Sequence, residues 1–143
     1  MTSKSGAKSV AAVAADANVI LSAVTGGAAL RVFTRGKLKI HTTESTLAEV
    51  EEYLPAMAAR ARLPVEALES QLRMLRLRVW GALSYRRVLP EALRRIGRRD
   101  PDDADLLALS IKLRIPVWSN DRDFQDARVR LFTTARLLKV LNP

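Results

Sequence analysis

"DPDDADLLALSIKLRIPVWSNDRDF", residues 100–124, runs from a helix start through a buried strand into a second group of acids. Asp100 is placed as the N-cap and Pro101 in the first turn, where a missing N–H costs little. The apolar residues after Asp103 keep helical spacing. "IPVWS" (115–119) is then a short apolar run bounded by polar residues, the signature of a strand covered on both faces. A helix feeding such a strand is part of a parallel crossover unit, and Asp121 and Asp123 follow the strand directly.

The same alternation extends outward in both directions. "SVAAVAAD" (9–16) reads as a buried parallel strand ending on Asp16. "ANVILSAVTGG" (17–27) has helical spacing and stops at Gly26-Gly27, and a second helix covers 28–35. "KLKIHTT" (37–43) alternates and places a strand over 38–42. Thr43 or Ser45 caps the next helix, "TLAEVEEYLPAMAARA" (46–61), which Pro55 is expected to kink or split. Pro64 opens another helix, with Val65, Leu68, Leu72, Leu75 and Val79 on its apolar face. "YRRVL" (85–89) is a candidate short strand, "VRLFT" (129–133) a fourth buried strand and "TARLLKVL" (134–141) a closing helix. The expectation is an α/β fold: a three-layer α/β/α sandwich around a mostly parallel central sheet of 4–5 strands. Residues 1–9 read as a flexible arm and 10–143 as one domain, with 45–99 a helical insertion inside it.

Composition bounds the rest. A chain of 143 residues supplies one core. It has no cysteine, hence no disulfide or thiolate metal site. No apolar run reaches the roughly 20 residues of a membrane span. The closest, "VAAVAADANVILSAV", is broken by Asp16 and Asn18 and has no cleavage site after it. A cytoplasmic protein with no membrane contact is expected. The net charge is +9, and arginines crowd between Arg60 and Arg99, while carboxylates gather at 44–52 and 100–126. A basic surface beside an acidic pocket suits a polyanion held by its backbone.

The acids converge on one place in this map. Ligands of open parallel sheets bind beyond the carboxyl ends of the strands. Asp16 ends the first strand, Asp121 and Asp123 follow a later one, Asp103 lies in a helix's first turn, and Glu49 can reach the crevice from its helix. Like charges at close range raise each other's pKa, and a hard divalent cation relieves the repulsion. Carboxylates without His or Cys favour Mg²⁺ or Mn²⁺. Asn18 and Ser22 near Asp16, and Ser119 opposite, are placed to orient these carboxylates. Asp100, Asp102 and Asp105 have simpler readings as cap and helix-dipole partners. Asp126 reads as a loop residue and His41, the single histidine, as a strand residue without a catalytic part.

In order and spacing, "AADANVILSAV", "TLAEVEEYL", "DPDDADLLALSIKLRIPVWSNDRDF" and "LFTTARLLKVL" together resemble the PIN-domain family, which includes the VapC-like toxin ribonucleases. Asp16, Asn18 and Ser22 match its opening motif, Glu49 its helix glutamate, and Asp103 its third acid. Ser119, Asp121 and Asp123 match its final segment. The chain departs from the pattern in the crowding of Asp100, Asp102 and Asp105 around Asp103, and either Asp121 or Asp123 can be the fourth ligand. The resemblance implies a metal-dependent endoribonuclease, often the toxin of a toxin–antitoxin pair and commonly a dimer. It implies a catalytic set of Asp16, Glu49, Asp103, Asp121 and Asp123, with metal on Asp16, Glu49, Asp103 and Asp121. Arg94, Arg95, Arg98 and Arg99 are the expected contacts to the RNA backbone.

Two rivals fail on motif. A receiver domain needs an acidic pair near the first strand and a late lysine, and a dehalogenase-type phosphatase needs Asp-x-Asp where this chain has Asp16-Ala17-Asn18. A PIN-like module that binds RNA or protein without cleaving it, and a structure-specific DNA nuclease, remain as alternatives.

Overall fold

Every strand of the sheet points the same way, so each link between neighbouring strands crosses over one face. In the computed structural model, which describes residues 10–96, 101–125 and 127–141, the order of elements is β1 (Ala12–Ala15), α1 (Ala17–Val24), α2 (Ala28–Thr34), β2 (Lys39–Thr43), α3 (Glu44–Ala61), α4 (Val65–Met74), β3 (Leu77–Trp80), α5 (Leu89–Ile96), α6 (Pro101–Leu113), β4 (Val117–Trp118), β5 (Leu131–Phe132) and α7 (Thr134–Leu141). Short 3₁₀ turns occupy Ala82–Ser84, Arg86–Val88 and Arg122–Phe124. The five strands lie in the order β3-β2-β1-β4-β5, all pairs parallel. This is the α/β/α sandwich expected.

The pleat divides the core. Val13, Ala15, Ile40 and Trp118 face a layer built by α1, α2, α3, α4 and α7. Ala14 and Val117 face the opposite layer of α5 and α6, with Tyr85 and Phe124. Both faces are covered, which explains why the strand sequences read as continuous apolar runs. From β1 the chain moves outward to β2 and β3, then returns through α5 and α6 to the other side of β1. The direction of winding therefore reverses between β1 and β4, the kind of point at which open parallel sheets bind ligands.

Local chemistry sets the ends. Asp16 caps α1 and Thr43 caps α3 by accepting backbone N–H groups. At the turn between α1 and α2 the axis bends by 89°. Gly26 supplies φ +84°, and a Cβ on Gly27 would come within 2.6 Å of Ser22 Oγ. Among the described residues no single helix is long and apolar enough to cross a membrane.

Four expectations are corrected. Pro55 does not split α3, because it sits on the exposed side, where water can satisfy the carbonyl it leaves without a partner. The helix opened by Pro64 ends at Met74, and Val79 lies in β3: "LRVW" pairs with β2, overriding a spacing that fits both periods. Residues 45–99 are thus not a purely helical insertion, since they supply the edge strand. "YRRVL" is a 3₁₀ turn running into α5, where Pro90 suits a helix's first turn. The expected arm 1–9, the cap Asp100 and the loop residue Asp126 lie outside the described residues.

Trp118, fully buried, donates Nε1–H to Thr134 Oγ1 at 3.0 Å, and Thr134 N–H donates to Asn120 Oδ1 at 2.9 Å. Thr134→Val keeps the volume and removes the acceptor. The expected cost is about 1–3 kcal/mol, read as a lower urea midpoint at unchanged m-value.

Candidate metal centre

Asp16 leaves β1 at the reversal point, only 7 % exposed. Burial pushes its carboxyl above the ordinary aspartate value. The Ser119 hydroxyl and the N–H groups of Val19 and Asn18 oppose that shift, and the nearby charge of Asp121 adds to it. Val19 N–H reaches Oδ1 at 2.9 Å, and Ser119 Oγ donates to Oδ2. Ser119 is fully buried at the end of β4, and its Oγ also accepts Asp121 N–H at 2.9 Å. One hydroxyl therefore links the acid after β1 to the acid after β4.

The loop beyond β4 folds on itself. Asp121 caps the 3₁₀ turn by accepting Asp123 N–H at 2.9 Å, and Phe124 anchors the turn in the core. Asn120 ties the loop to the start of α7 through Thr134. From the other side α6 brings Asp103 in its first turn. Oxygens of Asp103, Asp121 and Asp123, all half-buried, lie within 4.8 Å of one another. Oδ2 of Asp103 is shielded from solvent. Three hard oxygen donors at this spacing fit a divalent cation of the Mg²⁺ or Mn²⁺ type, and the donor set contains no nitrogen or sulfur.

The compact trio thus contains both Asp121 and Asp123. It does not include Asp16, which stands beside it through Ser119, nor Glu49, half-buried on α3, a helix that packs against α6. Asn18 is exposed, and its backbone N–H is what acts on Asp16. The Ser22 hydroxyl faces Gly27 at the far end of α1. His41 is buried in β2 and accepts Trp80 Nε1–H at 2.9 Å. Burial first, then Arg78 and Lys39, lower its pKa and favour the neutral ring. Arg94 and Arg95 both pair with Glu91, and Arg95 also donates to the Arg128 carbonyl at 3.1 Å. Arg98 and Arg99 lie outside the described residues.

One contact had no sequence signal. Tyr85, buried behind α6, donates its hydroxyl to Asp105 Oδ2 at 2.5 Å. Asp105 is therefore not simply a solvent or dipole residue. The tyrosine's partner is set by how the 3₁₀ turns fold back, which no local pattern encodes.

The PIN domain family model matches residues 14–142 of this chain. A chain from the crystal structure of VapBC2 from Rickettsia felis, bound to a DNA fragment from their promoter, has the same fold at a TM-score of 0.63. It shares 13 % identity, over 85 % of this chain and 98 % of that one. A search of curated proteins gave no significant match.

The raised pKa of Asp16 has a definite sign. Below about 3.8 the carboxyl is protonated both folded and unfolded. As pH rises the unfolded chain loses this proton first, so stability falls until the folded pKa is passed. In EDTA at pH 7, Asp16→Asn should therefore melt above wild type, and the gap should close on acidification toward pH 3.8. Saturating Mn²⁺ should raise the melting temperature of wild type and not that of Asp121→Asn, since a ligand at 100 times its Kd stabilises by about 2.7 kcal/mol.

Proposed function

The chain belongs to the PIN-domain family, and from that premise we propose that it is a metal-dependent endoribonuclease that hydrolyses RNA phosphodiesters. The observation that carries this reading is the convergence of Asp103, Asp121 and Asp123 at the reversal of the sheet, beside a buried Asp16. Carboxylates in such proximity, in a chain of net charge +9, are costly without a cation between them.

Asp103, Asp121 and Asp123 would hold Mg²⁺ or Mn²⁺, with Asp16 as a further ligand. Such an ion supplies an activated water and neutralises charge on the departing oxygen. The protein's own part is positional. Ser119 fixes the Asp16 carboxylate and the start of the acidic loop with one hydroxyl, so both sides of the crevice keep their spacing without substrate. Asp121 locks Asp123 through the 3₁₀ turn. Glu49, at the α3 side, takes the attacking water's proton or joins the ligands. Arg94 and Arg95 remain candidate contacts to the RNA backbone, with Glu91 already competing for both.

The Rickettsia felis structure is of a VapBC2 pair. We extend the reading accordingly: this chain is a toxin whose partner is a cognate antitoxin, and it assembles as a homodimer in the cytoplasm.

Cleavage of a panel of single-stranded and structured RNAs with matching DNAs, in EDTA, Mg²⁺ or Mn²⁺, tests the activity. Wild type should cut RNA only with metal. Asp16→Asn, Asp103→Asn and Asp121→Asn should each slow cleavage by about 100-fold or more. Folded wild type that binds RNA and leaves it intact under every metal would instead assign a non-cleaving module. Cleavage confined to DNA would assign a DNA nuclease.

A further inference from the structure

The acids occupy the carboxyl-terminal edge of the sheet, and a different chemistry occupies the opposite edge. There α2, the end of α4 and the first residues of β2 and β3 enclose a cavity of about 620 Å³. Its walls include Leu30, Phe33, Leu38 and Leu75. Phe33 is braced from behind by the buried Trp118, ring centroids 5.5 Å apart. Lys37, Lys39, Arg76 and Arg78 also line the cavity, and all four are exposed.

Among the described residues no carboxylate pairs with the four cations, and Glu66 and Glu69, on the first half of α4, do not line the cavity. Residues 28–43 and 70–90 contain no Asp or Glu. Both ion pairs among the described residues belong to Glu91, with Arg94 and Arg95. The positive field reaches inward as well, where Lys39 and Arg78 disfavour a proton on His41. A cleft of this volume, its lining divided between apolar side chains and charged or polar ones, has the form of a ligand site. Its ligand would have to be anionic and carry an apolar body.

We infer that this cavity is a second RNA subsite, seating one base of the strand in the apolar space and flanking phosphates on Lys37, Lys39, Arg76 and Arg78. The inference rests on the ribonuclease reading above. A metal site walled by carboxylates repels every phosphate except those at the ion, so strand affinity must come from elsewhere. The arginines of α5 are already paired, and among the described residues the cations of the cavity have no acidic partner. RNA is favoured over an acidic peptide because the proposed substrate is itself a polyanion with a flat, stackable unit per charge. At about 3.3 Å per residue, strands of this length separate the two edges enough that a short RNA reaches only one of them.

The test measures binding of a long single-stranded RNA in EDTA, and cleavage of that RNA and of a very short one in Mn²⁺. It uses full-length wild type, the double variant Lys37→Ala/Arg76→Ala, and Gln71→Trp, which narrows the cavity from α4. Both variants should bind the long RNA about 10-fold more weakly and cleave the short RNA like wild type. The double variant should also lose about 0.7 from the salt slope for each phosphate contact removed. Unchanged affinity and slope would overturn the subsite. So would an acidic amphipathic peptide that binds wild type and not the variants while RNA affinity stays the same, since it would give the cavity to a protein partner. Wild type that binds RNA through these residues and cleaves nothing would support the subsite and overturn the nuclease reading.

Discussion

The pairing of β1 with β4 is the constraint on which the site depends. Ala14 N–H bonds the Pro116 carbonyl at 2.9 Å, and Asp16 N–H bonds the Trp118 carbonyl at 3.2 Å. These two bonds set strands separated by a hundred residues of chain side by side, with their carboxyl ends level. The sheet winds outward in opposite directions from this pair, so no crossover covers the gap above it. Asp16 and Ser119 are the first residues past the two strands, and their hydrogen bond continues the strand register into side chains. The acidic loop, its 3₁₀ turn and the first turn of α6 are then built around a point the backbone has already fixed.

Charge follows the same geometry. Carboxylates collect where the strands end and cations where the strands begin, so the two edges of one small sheet have opposite character. Burying Asp16 costs stability that a neutral residue would not. Structures tolerate that cost where a charge is needed for work. The buried Thr42, whose hydroxyl bonds the Ala15 carbonyl at 2.9 Å, holds the end of β1 against β2 and keeps Asp16 from relaxing outward.

How much of this was legible in the sequence depends on the range of the interaction that decides each part. The apolar runs of β1, β4 and β5, the cap of α3 and the α1–α2 turn are local, and they read directly, whereas Asp16 read only as the end of β1 and its capping of α1 did not. The position of Asp16 and Asp121 at strand ends follows from those runs. β3 did not read, because Leu72, Leu75 and Val79 fit helical spacing and only the exposed edge of β2 makes "LRVW" a strand. The trio's membership also escaped, since whether Asp121 or Asp123 faces Asp103 depends on the turn that Asp121 itself caps. Tyr85 reaches Asp105 across the fold, and the pairing of Arg94 and Arg95 with Glu91 competes with any phosphate. Motif spacing reports neither.

The most direct measurement is a crystal of the full chain grown in Mn²⁺, with anomalous diffraction recorded at the manganese edge. At least one manganese peak is expected between the carboxylates of Asp103, Asp121 and Asp123, close to Asp16, and it should be lost in Asp121→Asn. An ordered site with no peak there at saturating Mn²⁺, or with the three carboxylates turned away to pair with arginines, would contradict the metal centre.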